Sequence, residues 1–383
     1  MNLERFRESP AGRLVQAAAG ETTYWAYCPH PLPPPLTLDA ELVRTLSEAD
    51  RALGELAGLG HTMPNPHLLI GPFLRHEAVL SSRIEGTVAD LADLYVYEAG
   101  PGAAADDEDV REVYNYVAAL EYGLERLAEL PISLRLIREL HERLMEGVRG
   151  ERATPGEFRA VQNWIGTRRC ALPEADFVPP PVPEMHAALD ALERYIHADD
   201  VYPPLIRLAL IHYQFETIHP FLDGNGRIGR LLITLLLASW KLLPVPLLYL
   251  SAYFERRRET YYDLLLGVSE RGEWGAWVRF FLLAVAEQAR DAVRKARRLQ
   301  DLQVEWRARL QRQRVTGLAL TIAELLFSNP VVAPNEVVER FHVSHQAAMQ
   351  ALRRLEAAGL VREASGRQRN RAYLAEEIVR VVD

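Results

Sequence analysis

The chain has 383 residues, which favours two or three domains. Its net charge of −8 argues against a general nucleic-acid binder, and two cysteines, Cys28 and Cys170, provide neither a disulfide framework nor a metal site. The most apolar run, 231–240, is too short to cross a bilayer, and the first residues lack the apolar segment of a signal peptide. We therefore expect a cytoplasmic protein that does not enter a membrane.

The first 36 residues show no helical period. Five prolines between positions 29 and 35 exclude a helix there and favour extended backbone. The sequence therefore predicts that 1–36 is an extended N-terminal arm, a linker that lies along the surface.

Helical spacing of leucines begins near Thr37 and is expected to end at Pro64, Pro66 and Pro72. A second helix is predicted from 75 to 84, with Gly86 as its left-handed stop. Ser81 and Glu85 lie four residues apart and share one face of this helix, and spacing alone favours a solvated helix end. These features define a predicted N-terminal helical region, 37–105.

Helical patterns continue through a predicted core, 106–290, and a linker helix, 291–314. The acidic residues 106–109 are placed at the positive end of a helix dipole, where no ligand is needed to explain them. The predicted helices of this part are 110–127, 133–146, 185–197, 203–218, 227–242, 255–268 and 274 to about 311. Between them, 156–183 has short aromatic or β-branched runs separated by turn residues, which predicts an irregular hairpin, either a plain surface loop or a flap over a site.

The last part, 315–383, has the pattern of a winged helix-turn-helix. Three helices are predicted at 318–326, 334–341 and 344–358, followed by a hairpin of 361–363 and 372–374. Eight basic and eight acidic side chains balance in this segment. The basic residues concentrate near the third helix and the wing, so a protein-contact module and a DNA-binding module are about equally favoured.

One stretch, His219-Pro-Phe-Leu-Asp-Gly-Asn-Gly-Arg-Ile-Gly-Arg230, carries the residue types that nucleotide chemistry needs. A histidine can accept a proton near neutral pH, and an acid such as Asp223 can hold a divalent cation. A Gly-Asn-Gly turn before a helix can present N–H groups to an anion. Arg227 and Arg230, three apart, can grip phosphate oxygens from one helix face.

Other interpretations of the glycines fail. A Rossmann fingerprint follows a strand and needs an acid ~20 residues later, whereas the preceding run here is helical and the next acid is Glu255. A Walker A loop lacks its Lys-Ser or Lys-Thr, and an Asn-Gly hairpin lacks alternating flanks. The remaining interpretation is an anion-binding loop between two helices. A plain turn between helices would not explain why so many of the residues from 219 to 230 suit nucleotide chemistry.

The stretch matches every position of the Fic motif, H-x-F-x-[DE]-G-N-G-R-x-x-R, and so resembles the Fic (Fido-domain) protein adenylyltransferase family. Ser81-x-x-x-Glu85-Gly86 resembles the inhibitory motif of the subclass whose inhibitory helix precedes the Fic domain. Asn163-Trp164-Ile165-Gly166 and the Tyr261-Tyr262 pair are similar to further family features, and a C-terminal winged helix is common in this subclass. The fold class implied is mostly α, a Fic helical core with a small β-hairpin flap plus a winged helix-turn-helix domain.

The resemblance implies transfer of AMP from ATP to a Ser, Thr or Tyr hydroxyl of a protein, either another protein or the chain itself, with release of pyrophosphate. His219 is implied as the catalytic base, Asp223 as the ligand of Mg²⁺, Phe221 as an apolar support and the flap around 170–178 as a guide for the target segment. The implied nucleotide-binding residues are Asp223, Gly224, Asn225, Gly226, Arg227, Ile228, Gly229, Arg230, Tyr261 and Tyr262, with the two tyrosines beside the adenosine.

The resemblance also implies autoinhibition. Glu85 is expected to pair with Arg230 where the γ-phosphate would bind, with Ser81 anchoring it, because carboxylate and phosphate fit the same guanidinium fork. Two alternatives stay open: a DNA- or protein-binding regulator that acts through the winged helix, with the Fic domain as nucleotide sensor or self-modifier, and a Fic enzyme with another nucleotide or diphosphate-linked donor. A homodimer is compatible with the resemblance.

Overall fold

The computed structural model describes residues 1–19, 22–62, 67–99, 108–148, 154–166, 170–364 and 371–383. The chain forms two compact units. Unit 1 comprises 1–54, 118–242 and 250–287, and unit 2 comprises 55–117, 243–249 and 288–383. Several predicted features lie outside the described residues, namely Pro64, Pro66, Asp106, Asp107 and the wing residues Gly366, Arg367 and Arg369.

Helices dominate both units. In chain order they are α1 Leu3–Phe6, α2 Ala40–Thr62, α3 His67–Ile84, α4 Leu91–Glu98, α5 Glu108–Arg126, α6 Leu134–Leu144, a 3₁₀ turn Leu172–Glu174, α7 Val182–His197, α8 Pro204–Ile218, α9 Asn225–Ser239, α10 Ser251–Arg256, α11 Arg258–Arg271, α12 Trp274–Arg312, α13 Leu318–Leu325, α14 Pro334–Phe341, α15 His345–Ala357 and α16 Glu376–Val382. The strands are β1 Gly12–Ala19, β2 Thr22–Pro29, β3 Val331–Val332, β4 Arg362–Glu363 and β5 Tyr373–Leu374. The predicted fold class, mostly helical with a winged helix at the C-terminal end, is confirmed.

The core of unit 1 is built around the antiparallel pair α8 and α9. Both helices are buried on nearly every side, as expected for helices with apolar residues all round. α8 packs against α7 and α11, and α9 packs against α6. The segment between α8 and α9 is therefore fixed at both ends by the best-packed helices of the unit.

The prediction that 1–36 is a linker along the surface is wrong. β1 and β2 pair as an antiparallel hairpin with Gly12 opposite Pro29. Phe6 and Tyr27 are buried against Phe177, and the Tyr27 N–H donates to the Val178 carbonyl at 2.9 Å. The segment is extended, but its buried aromatic side chains make it part of the core. The prolines after 30 dominated the sequence pattern and hid the alternation of the strands.

Two helix predictions differ from the structure by more than their end residues. Pro72 lies inside α3 and does not break it, because Leu69, Phe73 and Leu74 are buried and packing outweighs the one hydrogen bond that proline removes. The single helix predicted at 255–268 is two helices, α10 and α11, interrupted at Arg257 with φ −126° and ψ 37°.

Unit 2 contains the winged helix. Its sheet has the strand order β3-β5-β4, and α13, α14 and α15 begin and end within two residues of their predicted positions. Ser344 caps α15 through the Ala347 N–H, as its position predicts. The short helices α4 and α16 and the strand β3 were not predicted from the sequence. Among the described residues, no helix is long and apolar enough to span a membrane.

Candidate functional site

The site is a loop between two buried helices. α8 ends at Ile218, His219 follows with a left-handed φ of 50°, and α9 begins at Asn225 after Gly224 with φ 77°. A side chain at Gly224 would be strained by that φ and would approach the Met145 sulfur at 3.1 Å. The N-terminus of α9 therefore opens on the loop, where its first-turn N–H groups and its dipole favour an anion.

Asn225 closes the loop. Its Oδ1 accepts the Phe221 N–H at 2.8 Å, and its Nδ2 donates to the Phe221 carbonyl at 2.8 Å. The residue is 2% exposed, so both bonds are shielded from water. The Gly-Asn-Gly segment is thus not a separate turn before the helix, and the N–H groups of Asn225 and Gly226 are those of the first turn of α9. Asn225 and Gly226 are already the first residues of α9, and the asparagine side chain holds the loop shut.

His219 is half-buried at the start of the loop. Its Nδ1 lies 3.2 Å from the Glu216 carbonyl oxygen, which can only accept a hydrogen bond. This contact assigns the proton to Nδ1 in the neutral ring and leaves Nε2 as the basic nitrogen. The left-handed backbone of a non-glycine residue is strained, and it persists because the surrounding contacts fix it.

Asp223 and two arginines place opposite charges around the loop. The Asp223 side chain is 58% exposed, and its Oδ1 accepts the Gly224 N–H at 2.6 Å and lies 3.6 Å from Arg227 Nη2. The side chains of Arg227 and Arg230 are buried on α9. The positive field of two buried guanidinium groups at a helix N-terminus suits a polyphosphate.

The chain's own donors around Asp223 do not form a complete metal cage. No group of three or more His, Cys, Asp or Glu side chains in the described part of the chain could hold a metal ion. A single exposed carboxylate fits a magnesium ion that shares its remaining positions with phosphate oxygens and water. The residues present therefore fit Mg²⁺ that arrives with a nucleotide.

Phe221 lies under the loop, as expected for its apolar role. It is fully buried and stacks on the His141 ring with centroids 3.7 Å apart and planes 5° from parallel. Phe158 also packs against the Phe221 ring, with centroids 5.2 Å apart. The aromatic contacts support the loop from α6 and from the start of the flap.

His141 is a site residue that the sequence analysis missed. Its Nδ1 accepts the Gly156 N–H at 3.0 Å, and its Nε2 is 3.1 Å from the Asp223 carbonyl oxygen. Burial, the largest cause, lowers the pKa of His141 to about 4, so the ring is neutral. Its only sequence signal was its place among the leucines of α6, which equally describes a core histidine.

Arg159 was also missed. Its Nε donates to the His219 carbonyl at 3.0 Å, and its Nη groups donate to the Val161 and Pro180 carbonyls. Asn163 Nδ2 donates to the carbonyls of His219 at 3.1 Å and Phe221 at 2.8 Å. Burial lowers the pKa of Arg159 to about 10, still well above neutral, so a charged guanidinium holds the loop through carbonyl oxygens. The match of Asn163 to a family feature was noted from the sequence, but its contacts were not foreseen.

The flap is less regular than a hairpin. Within the described residues of 156–183, one antiparallel bridge joins Ile165 to Phe177, and the segment Leu172–Glu174 is a 3₁₀ turn. Trp164 and Ile165 are about 40% exposed. The flap is thus held at its base by Arg159 and Asn163 and presents apolar side chains to solvent.

Tyr261 and Tyr262 lie in different environments. Tyr261 is 1% exposed, and its hydroxyl is 2.9 Å from His212 Nε2, whose other ring nitrogen, Nδ1, is 3.2 Å from the Gly229 carbonyl of α9. Burial, the largest cause, with Arg230 nearby, lowers the pKa of His212 to about 3. Tyr262 is 41% exposed beside Arg258. Tyr261 is thus a core residue that reaches the first turns of α9 through His212, and a place beside adenosine stays a prediction for both tyrosines.

Ser81 and Glu85 belong to unit 2. Ser81 is fully buried on α3, and Glu85 is exposed directly after the end of that helix. The Gly86 N–H donates to the Arg83 carbonyl, and the φ of Gly86 is 103°, so the predicted glycine stop is present. The pairing of Glu85 with Arg230 stays a prediction.

Comparisons with known proteins match this architecture. The Fic/DOC family model matches residues 131–237, the Fic/DOC N-terminal model matches 43–125, and the MarR family model matches 316–369. Curated relatives include the "Protein adenylyltransferase Fic" of Drosophila grimshawi, 30% identical over 206 residues, and that of Culex quinquefasciatus, 29% identical over 205 residues. Each alignment covers 51% of this chain but only 37–38% of the relative.

Two solved structures share the fold. A Fic family protein from Desulfovibrio desulfuricans G20 aligns with a TM-score of 0.56 and 22% identity over 90% of this chain and 98% of its own. A Fic domain containing signaling protein from Bacteroides thetaiotaomicron VPI-5482 aligns with a TM-score of 0.52 and 19% identity over 66% of this chain and 95% of its own. The family-model matches, together with the loop between α8 and α9, show that residues 43–125 and 131–237 are Fic/DOC family domains and that residues 316–369 are a MarR-type winged helix.

Proposed function

We propose that this chain is a protein adenylyltransferase that transfers AMP from ATP to a hydroxyl group of a protein. The observation that carries the proposal is the strained His219 beside the open N-terminus of α9, with Arg227 and Arg230 buried on that helix. The names of the curated relatives support the same reaction.

In this reaction the hydroxyl oxygen of the target forms a bond to the α-phosphorus, and the bond from that phosphorus to the oxygen bridging to the β-phosphate breaks. His219 Nε2 takes the hydroxyl proton, because Nδ1 is held by the Glu216 carbonyl. Arg227 and the N–H groups of α9 stabilise the charge on the leaving pyrophosphate. Mg²⁺, when bound at Asp223, neutralises phosphate charge.

We further propose that Glu85 inhibits the enzyme by competing with the γ-phosphate for Arg230. Its exposed position just after α3 leaves the carboxylate at the surface of unit 2, and the buried Ser81 anchors the helix that carries it. The tyrosines beside the adenosine, a cytoplasmic location and a homodimer stay proposals that rest on the family resemblance.

The test is labelling with α-³²P-ATP and Mg²⁺. We expect weak labelling of the wild-type chain or a lysate protein, stronger labelling with Glu85→Gly, and none with His219→Ala. Labelling that survives His219→Ala would exclude this base, and equal labelling by Glu85→Gly and wild type would exclude the inhibitory role. Mass spectrometry of lysate treated with Glu85→Gly, beside the His219→Ala control, would identify the target.

A second candidate function is DNA binding through the winged helix. α15 exposes polar and basic side chains on one side, among them Gln346, Gln350 and Arg353, and the segment matches the MarR family model. No ion pair of Arg353 or Arg354 is found within the described residues. These features suit a helix that contacts bases and phosphates.

A mobility-shift assay on the full chain tests this second function. We expect Arg353→Ala with Arg354→Ala to weaken binding and to lower the slope of log K against log salt by about 1 to 2, because two phosphate contacts are lost. Arg380→Ala is the matched control, since Arg380 is exposed in the same unit but pairs with Glu376. Binding that shows no sequence preference, and whose log K hardly changes with log salt, would exclude sequence-specific DNA binding.

A further inference from the structure

His141 lies outside the Fic motif but contacts two of its residues, Phe221 and Asp223. It is fully buried on α6, 78 residues before His219, and both ring nitrogens are used. Nδ1 accepts from the Gly156 N–H, so it carries no proton, and the ring proton must sit on Nε2, which donates to the Asp223 carbonyl. The ring therefore bridges the start of the flap to the residue that carries the exposed carboxylate of the loop.

At the flap end of this bridge, Gly156 is hydrogen-bonded to one face of α6. Gly156 has φ 76°, and an added Cβ would lie 3.1 Å from the Glu142 Cβ and 3.4 Å from the Arg138 carbonyl oxygen. Arg138 Nε donates to the Gly156 carbonyl at 2.7 Å, while His141 accepts its N–H. Both backbone polar groups of Gly156 are thus bound by side chains one helical turn apart on α6.

The loop side of the bridge fixes one peptide unit. In the peptide between Asp223 and Gly224, the carbonyl oxygen accepts a hydrogen bond from His141 Nε2, and the N–H donates to Asp223 Oδ1. The second bond determines where the carboxylate lies relative to the peptide, and the first determines how the peptide lies relative to α6. The exposed carboxylate of Asp223 is therefore oriented through His141.

We propose that His141 is a positioning residue: as the Nε2–H tautomer, it holds the Asp223 carboxylate in place for Mg²⁺ bound with ATP and ties the flap to the same loop. The part that concerns Mg²⁺ rests on the proposed function, whereas the bridge between Gly156 and Asp223 does not. Partners of ligating residues typically change metal affinity by about 10- to 100-fold when they are removed.

Two substitutions separate the halves of the bridge. The side-chain oxygen of asparagine can replace Nδ1, so His141→Asn keeps the acceptor for Gly156 and loses the donor to Asp223. The side-chain nitrogen of glutamine can replace Nε2, so His141→Gln keeps the donor to Asp223 and loses the acceptor. His186→Asn is the control, because His186 is exposed on α7 and its ring contact is with Phe158.

The first measurement is an equilibrium titration of Mg²⁺ at fixed ATP, by calorimetry on the full chain in the Glu85→Gly background. We expect His141→Asn to raise the Mg²⁺ concentration for half-saturation by about tenfold and His141→Gln to change it by less than about twofold. In turnover, the apparent affinity for Mg²⁺ should change more than the rate at saturating Mg²⁺. Equal losses of Mg²⁺ affinity in both variants would contradict the positioning role and leave His141 with a packing role only. No loss of Mg²⁺ affinity in His141→Asn would also overturn the proposal.

The second measurement needs neither turnover nor metal. Hydrogen exchange of the peptide that contains Gly156 should be about tenfold faster in His141→Gln than in wild type and unchanged in His141→Asn, because one buried hydrogen bond is lost. Unchanged exchange in His141→Gln would contradict the bridge.

In the wild-type chain, ¹⁵N spectra of the imidazole should show the Nε2–H tautomer for His141, so the proposal stays testable if a variant fails to fold. The Nδ1–H tautomer would overturn it. If the wild-type chain binds no ATP at all, the proposed function fails, while the exchange and tautomer results still decide the bridge.

Discussion

Gly229, on the second turn of α9, lies against the end of α8. A Cβ at this position would lie 2.2 Å from Glu216 Oε1 and 3.2 Å from Phe215 Cδ1. The Glu216 carbonyl contacts His219 Nδ1, so crowding at Gly229 is expected to act on the proposed base as well as on the packing. Gly229 is at an unspecified position of the motif, and its close contacts with the end of α8 favour glycine there.

We expect Gly229→Ala to destabilise unit 1 by about 1–3 kcal/mol, because the end of the Glu216 side chain and the Phe215 ring must both shift to admit a methyl group. Thermal unfolding followed by circular dichroism measures this change. Gly54→Ala is the control, since Gly54 is exposed in α2 and has nothing within 4 Å of an added Cβ. That substitution should stabilise the helix by about 0.5–1 kcal/mol. A Gly229→Ala protein as stable as wild type would contradict the packing argument.

At the scale of elements, two side chains at the start of the flap hold the backbone of the loop that contains the proposed base. Arg159 and Asn163 donate to the backbone carbonyls of His219 and Phe221, so the flap and the loop form one hydrogen-bonded layer over α6. A guanidinium can reach three carbonyls at fixed angles, which a lysine ammonium cannot reproduce.

We therefore expect Arg159→Lys to lower kcat of the Glu85→Gly enzyme by about 10- to 100-fold, because small displacements of a base are costly. The unfolding temperature should fall less than in a truncation such as Arg159→Ala. Arg135→Lys is the control on α6, where the exposed Arg135 pairs with Glu139. Single-turnover labelling gives the rate. If Arg159→Lys in the Glu85→Gly background is as fast as Glu85→Gly alone, the guanidinium geometry of Arg159 is not needed.

The N-terminal hairpin supports the flap from the other side. Phe6, Tyr27 and Phe177 form an aromatic cluster with ring centroids 5.5–6.0 Å apart, and the backbone of Tyr27 bonds to Val178. We expect Tyr27→Ala to cost about 3–5 kcal/mol in unfolding free energy and to speed hydrogen exchange across 172–178.

Trp25→Ala is the matched control for this prediction. Trp25 lies on the same strand but is 40% exposed, so its truncation should cost about 1 kcal/mol or less. Denaturant unfolding and hydrogen exchange measure both variants. If Tyr27→Ala and Trp25→Ala change the unfolding free energy and the hydrogen exchange by the same amount, the hairpin does not support the flap.

At the scale of the whole molecule, buried neutral histidines tie stability to pH. Burial, as the largest cause, lowers the pKa of His76 and His212 to about 3 and that of His141 to about 4. In the unfolded chain each has a pKa near 6.5, so the unfolded state binds more protons below that pH. Their contribution to stability is complete above about pH 6.5 and is lost as the pH falls towards 3–4.

We expect the free energy of unfolding, measured by urea titration, to fall between pH 7 and pH 5 by up to about 1.4 kcal/mol per pH unit for each histidine. The urea midpoint should fall with it. Tryptophan fluorescence in both units can follow the transition. His186→Gln, at an exposed position, should leave this pH dependence unchanged, whereas His212→Gln should reduce it. A midpoint that is the same at pH 7 and pH 5 would contradict neutral burial of these rings.

Local sequence determined much of this protein. Helical spacing located most of the long helices, Gly86 and Ser344 marked a helix end and a helix start, and the run from His219 to Arg230 identified the site and the family. Such features depend on residues a few positions apart, where caps, left-handed glycines and helix faces act over one or two turns.

Tertiary structure decided the rest, because those contacts join residues far apart in the chain. The hairpin at the N-terminus became part of the core through Tyr27 and Phe177, and Pro72 stayed inside a helix through packing. His141 and Arg159 lie well before the motif and carry no local signal, yet their side chains hold the loop. The sequence by itself determined the motif residues that carry the proposed chemistry, and the packing of α6, α8, α9 and the flap decided what holds them in place.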